Sequence, residues 1–246
     1  MSIEAVEEGL TVRIQIPILD EEDEVQDTHL ENEDAKLVLK NLERYHFCSR
    51  PHVSLALMWH TMSRVGAVRA LDLRDVDLQD QHVEFRHRPH ADTPLKNKGE
   101  SERHVAISDD IAELLEEWIE KQRPDTVDEY GRQPLISTEH GRVAVATIRH
   151  YAYKFTQPCR YKVACTEGRD PDYCDATAHG KESQCPASVS PHPFRRGSIT
   201  HWLRSDVPSH AVSSRADVSE RVIEKHYDER TEGDKMEQRR GYLENI

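Results

Sequence analysis

The sequence predicts an α+β domain, mainly α-helical, with three short strands. Three observations predict it. Apolar residues recur at helical spacing in several separate segments, three short runs between residues 83 and 107 read as strands, and 246 residues suffice to bury one good core. No internal repeat interrupts this pattern.

Residues 1–28 form an acidic lead in which Leu10–Pro17 can make one alternating strand, and Asp20–Glu24 reads as a solvated linker. From Asn32 to about Tyr45, Ala35, Val38, Leu39 and Leu42 recur at helical spacing. A second apolar helix covers His52–Thr61. The expected strands are Val83–His87, Pro94–Lys96 and Arg103–Ile107. Ser108 then stands as N-cap of an amphipathic helix marked by Ile111, Leu114, Leu115, Trp118 and Ile119. After a polar loop over Pro124–Pro134, helices are expected near Val145–Thr156, Phe194–Ser205 and Ser219–Tyr227.

Composition narrows the function. No run of about 18 apolar residues appears and no basic-then-apolar leader opens the chain, so a soluble, cytoplasmic protein without a membrane partner is expected. The net charge of −13 argues against a uniformly basic nucleic-acid surface. Residues 1–50 hold 13 acids against 5 bases, however, and the remainder 33 against 28. The run Pro193–Arg204 carries three arginines and no acid, so a local basic face can coexist with an acidic shell. High acid content also suits a salt-rich cytoplasm, where phosphate attraction is screened in any case.

Four motifs stand in order. Thr61–Asp77 reads TMSRVGAVRALDLRDVD; Lys98–Ile107 reads KGESERHVAI; His192–Leu203 opens with H-x-x-R; and Val222–Tyr227 reads VIEKHY. An H-x-x-R step on a helix sets an imidazole and a guanidinium on one face, within reach of one phosphate. Together these motifs resemble the catalytic domain of the tyrosine recombinases, the phage-integrase family, in an acidic, archaeal-like version. That resemblance implies a mainly α domain whose strands form a small three-stranded antiparallel sheet. It also implies double-stranded DNA as substrate, a homo-oligomer, by analogy a tetramer, on DNA, and no cofactor for catalysis.

Residue by residue, the resemblance assigns Arg64 and Arg195 as phosphate clamps and Tyr227 as nucleophile. Lys98 becomes the general acid, with Lys96 as its alternative, and His192 a base or hydrogen-bonder. Arg215 holds the nearest position to a further family histidine or tryptophan, within Val212–Ser219. The chain departs from the pattern at Ala67, where an acid is usual, and at Arg196, where a histidine is usual.

The chemistry needs these types. A phenolate can attack phosphorus in line and form a phosphotyrosyl ester that conserves the energy for rejoining. Guanidinium groups offer fixed bidentate donors to the charge that grows on the phosphate oxygens. A lysine can protonate the departing sugar oxygen, and a histidine titrates near neutrality. Two other readings remain: a strand-swivelling topoisomerase with the same chemistry, and a DNA-binding or assembly protein of this fold that has lost activity.

The expected organisation is an acidic lead over residues 1–30, a catalytic domain over 31–232, and a tail helix over 233–246 that either reaches a neighbouring subunit or frays. The DNA-clamping domain that usually precedes this domain is expected to be absent, reduced to the lead, or supplied by a longer chain or a partner. Within the domain lies an insertion at 158–186 bearing Cys159, Cys165, Cys174 and Cys185. A polar stretch without a core needs a staple, and four sulfurs can surround one tetrahedral ion. A structural zinc is the favoured reading, two disulfides the alternative, and His179 can replace one cysteine. Cys48 lies outside this group as a packing residue.

Overall fold

The computed structural model describes residues 30–161, 164–228, 230–241 and 243. The expected strand at Leu10–Pro17 and the acidic linker fall outside them. Among the described residues, no helix is long and apolar enough to cross a membrane.

Helix α1 (Asn32–Tyr45) turns its Ala35, Val38 and Leu42 inward, as the spacing requires. Helix α2 (Arg50–Thr61) begins two residues earlier than its apolar run, because Ser49 Oγ accepts the His52 N–H and a proline stands in its first turn. This helix is buried nearly all round and packs on α1 and on three later helices, α4 (Asp109–Glu117), α5 (Val145–Phe155) and α6 (Pro191–Arg204). After the short α3 (Val65–Ala70), strands β1 (Val76–Asp77), β2 (His82–Phe85) and β3 (Arg103–Ala106) form an antiparallel sheet in the order β1-β2-β3. Val83 faces Val76 on one side and Val105 on the other.

The sheet has three strands, but one is not the expected one. Pro94–Lys96 belongs to the loop between β2 and β3: Pro94 has no N–H to donate, and Leu95 N–H bonds to His87 Nδ1 at 3.0 Å instead of to a strand. Its place is taken by Val76–Asp77, held down by buried acids. Asp72 and Asp75 close a capping box around the turn Leu73–Asp75, and Asp75 accepts both fork nitrogens of Arg88 at 2.5 and 2.7 Å.

Helix α4 (Asp109–Glu117) continues as a π-type turn over Trp118–Gln122, with Ser108 at the N-cap position but making no side-chain cap bond. A two-stranded hairpin, β4 (Ser137–Thr138) with β5 (Gly141–Arg142), precedes α5 (Val145–Phe155). The insertion follows as isolated single turns. Then come α6 (Pro191–Arg204), α7 (Ser209–Ala216), α8 (Glu220–His226) and α9 (Glu232–Gly241). Helix α9 buries none of its residues; Gln238 donates to the Asp206 carbonyl and accepts from Arg230, and Lys235 pairs with Asp228 at 3.6 Å.

Two apolar clusters result. The larger runs from α1 to α5 and ends at Phe194; the smaller gathers Met62, Ile199, Leu203, Val212, Ala216, Ile223 and Tyr227. Helix α6 belongs to both, so whatever its first turn carries is fixed by two cores. Gly197 lets it lie there. A Cβ on Gly197 would overlap the Leu30 carbonyl oxygen and press on Trp59 at 3.3 Å. Gly197→Ala is therefore expected to cost about 1–3 kcal/mol or more, read as a lower urea midpoint at unchanged slope; an unchanged midpoint would refute this packing.

His52 supplies a pH dependence. It is buried, and its Nδ1 accepts the Cys48 N–H at 3.2 Å. Burial pushes its pKa down from 6.5 to about 4. Below pH 6.5 the unfolded chain takes up a proton that the folded chain refuses, so stability falls from pH 6.5 to about 4, by roughly 3 kcal/mol in total. Urea titrations across that window should show the loss in the native chain and a shallower slope in His52→Gln.

Candidate active site

One cavity of about 740 Å³ lies where the two clusters meet. Arg64, His192, Arg195 and Tyr227 all line it, although they stand up to 163 positions apart in the chain. Each arrives by a separate local device. Met62 turns the chain out of α2 with a left-handed φ of 52°, which places Arg64 in extended backbone at the N-cap of α3. Pro191, at the first position of α6, starts the helix one turn before Arg195 and puts His192 on the same face. Ser219 caps α8 through its hydroxyl, and the helix ends with Tyr227 at its C-cap.

The electrostatics follow from burial. Arg195 is 3% exposed; its Nη2 donates to the Ala216 carbonyl at 2.8 Å, while its Nη1 is buried with no hydrogen-bond partner. Burial, with the Arg64 charge, pushes its pKa down to about 9, and Tyr227 partly offsets this. It stays cationic at neutral pH. An unpartnered buried donor of this kind costs about 1–3 kcal/mol until an acceptor arrives. His192 is held below its usual range by burial and then by Arg195, Arg196, Arg64 and Lys96, so it is neutral at pH 7 and able to accept a proton. Arg196 lies 5.1 Å from the Tyr227 ring centre and donates to the His226 carbonyl at 2.6 Å. It braces the Tyr227 ring from the position where the family pattern has histidine.

Two expected residues stand differently. Lys98, at φ 58°, opens the turn Lys98–Ser101 and lines a neighbouring cavity with Arg64, Lys96 and Asp217. Lys96, two residues earlier, lines both that cavity and the main one. Arg215 does not join the site. Its guanidinium donates twice to the His60 carbonyl, at 2.7 and 3.1 Å, and sits 4.5 Å from the Trp202 ring centre. Burial pushes its pKa down to about 10, so it remains a structural cation.

The residue that fills the gap is Asp217, which sequence reasoning passed over. At φ 56° it ends α7 in the left-handed conformation. Its Oδ2 accepts from Arg64 Nη1 at 2.5 Å and from Ser101 Oγ at 2.7 Å, and its Oδ1 accepts from Asn97 Nδ2 at 3.1 Å. One carboxylate thus ties the first arginine to the β2–β3 loop. The available signal was positional: Asp tolerates the left-handed residue that commonly ends a helix. Arg149, Tyr153 and His226 also line the cavity and were missed. Arg103 works behind the site, bonding the Arg215 carbonyl, the Ser101 carbonyl and Ser63 Oγ.

Three metal-ligand atoms approach within 4.8 Å in two places among the described residues, His82–Glu84–His104 and His150–His179–Glu182. In the first, Arg86 already holds Glu84 at 2.7 and 2.9 Å. Neither borders the main cavity.

An arginine-lined cavity with a histidine, a lysine and a tyrosine, set between two helical cores, has the architecture of tyrosine recombinase catalytic domains. The model for the phage integrase family matches residues 28–160, and the chain belongs to that family. A search of curated proteins finds no match. Among solved structures, the chain is similar to the XerA recombinase at 15% identity, covering 88% of this chain and 62% of that one with a TM-score of 0.58. It is similar to the Tn1549 transposon integrase in complex with transposon right-end DNA at 12% identity, covering 91% and 67%, TM-score 0.58. It also resembles the XerH recombinase in a post-cleavage complex with a palindromic difH substrate, at 15% identity, 89% and 54% coverage and TM-score 0.53. The chain therefore spans less than two thirds of the length of the XerA recombinase.

Proposed function

We propose that this chain is a site-specific recombinase or integrase that cuts and rejoins double-stranded DNA through a covalent 3′-phosphotyrosyl intermediate. The observation that carries the reading is the buried, unpartnered Nη1 of Arg195 in a cavity that also holds Arg64, His192 and Tyr227. A phosphodiester supplies the missing acceptor, and its non-bridging oxygens meet both arginines.

Tyr227 Oη forms a bond to phosphorus as the bond to the 5′ oxygen breaks. The phenol proton passes to neutral His192, and Lys96 delivers a proton to the departing oxygen. We favour Lys96 over Lys98 in this role because it borders the main cavity. The products are a phosphotyrosyl ester and a free 5′ hydroxyl, and the reverse sequence rejoins a strand. No nucleotide or redox cofactor enters that balance. DNA complexes of the related transposon integrase and the XerH recombinase support DNA as the partner. Work on DNA as a homo-oligomer, in the cytoplasm, completes the proposal.

The test is a nicked suicide duplex from the neighbourhood of the coding region, quenched in denaturant. A protein–DNA band whose linked peptide contains Tyr227 supports the reading. DNA binding without such a band, across several sites and salt levels, supports a silent protein of the same fold.

A further inference from the structure

We infer that Cys159, Cys165, Cys174 and Cys185 bind one structural zinc ion, which clasps the insertion between α5 and α6. Four of the five cysteines fall in this segment, all are free thiols, and all four line one cavity of about 20 Å³. That volume holds a single water-sized particle. The rest of its wall combines Pro158, Pro171, Pro186 and Ala176 with the polar Gln157, Glu167, Arg169 and Thr177, of which Glu167 alone offers a further anionic ligand atom.

The insertion has no core of its own. Its regular structure consists of four three-residue turns, and among its described residues only Pro158, Ala176 and Glu182 are buried. Apolar burial cannot order such a segment, and a metal can. The backbone is already arranged for it. The carbonyls of Cys165, Cys174 and Cys185 each accept the N–H three residues on, from Gly168, Thr177 and Ser188, at 3.0, 3.0 and 3.1 Å. Each of these cysteines thus opens a tight turn.

The donor set is four sulfurs rather than three and an imidazole. His179 faces His150 at 5.3 Å between ring centres, on the side where His150 meets Glu182 at 3.3 Å, and does not line the cysteine cavity. No three of the four sulfurs lie mutually within 4.8 Å, the spacing of that cluster. Zinc at about 2.3 Å from each sulfur would draw the turns inward, releasing the thiol protons as it binds. The clasp would hold the α6 entrance in place: Thr156 Oγ1, at the end of α5, accepts the Val189 N–H at 2.9 Å, just before the helix that carries His192.

The test uses the whole chain purified without chelator. We expect about one zinc per chain by elemental analysis, the intense visible bands of a tetrahedral tetrathiolate after exchange for cobalt, and four thiols that become titratable only once the metal is stripped. Cys174→Ser and Cys185→Ser should lose stoichiometric zinc, whereas Cys48→Ser and His179→Ala should keep it. Folded, metal-free protein with every thiol titratable would overturn the inference, as would disulfides within the insertion. So would zinc that survives Cys174→Ser but is lost in His179→Ala. If a serine variant fails to fold, the cobalt spectrum and thiol titration of the native chain still decide. None of these readouts depends on DNA cleavage.

Discussion

Tyr227→Phe is expected to abolish the covalent protein–DNA band, a fall on the order of 10⁴-fold or more, while DNA binding by mobility shift stays within a few-fold. The substitution removes one oxygen and leaves the ring. That ring packs in the smaller core with Met62, Ile199 and Ile223, and it keeps the Arg196 guanidinium at 5.1 Å from its centre. Folding should therefore be little affected, and the loss is one of chemistry. An undiminished band would point to another nucleophile, and Tyr153 is the alternative to examine because it lines the same cavity.

Lys96→Ala is expected to slow cleavage by about 10²–10⁴-fold, the usual contribution of a positioned general acid, whereas Lys98→Ala should change it only a few-fold. The two lysines flank Asn97, whose side chain is held by Asp217, so the loop has a defined hand: Lys96 borders the main cavity and Lys98 the neighbouring one. Replacing the 5′ bridging oxygen of the substrate by sulfur provides the decisive control. A thiolate leaves without a proton, so this substrate should rescue Lys96→Ala but leave an arginine-clamp variant slow. The opposite ranking of the two alanine variants would return the role to Lys98.

The contrast between these lysines also marks what the sequence reveals. Residues that act within one regular element were legible: the periodicity of Ala35, Val38 and Leu42 located α1, and the three-residue step from His192 to Arg195 located one face of α6. Lys96 and Lys98 sit in an irregular loop where a single left-handed residue decides which side chain turns inward, and no local period encodes that. Arg215 lies off the main cavity for a different reason. Its direction is set by the His60 carbonyl and the Trp202 ring, partners contributed by α2 and α6. Pro94–Lys96 could not become a strand for want of an N–H. The β4–β5 hairpin has only two residues per strand, too few for an alternating pattern to register. Asp217 acquires its meaning only when Arg64, Asn97 and Ser101 converge on it.

The Asp217 carboxylate has one more consequence. It is an anion tethered beside the arginine that receives phosphate in the proposed function, where it would act as an internal competitor at high effective concentration. A small free anion such as sulfate or inorganic phosphate would have to displace it from Arg64 Nη1 with only its own charge to offer. A phosphodiester embedded in a duplex arrives anchored by its neighbours along the strand, so its own local concentration matches that of the tether. On the proposed function, attachment would then count for more than charge at this position: Arg64 Nη1 would open more readily to phosphate that comes as part of a polymer than to loose phosphate.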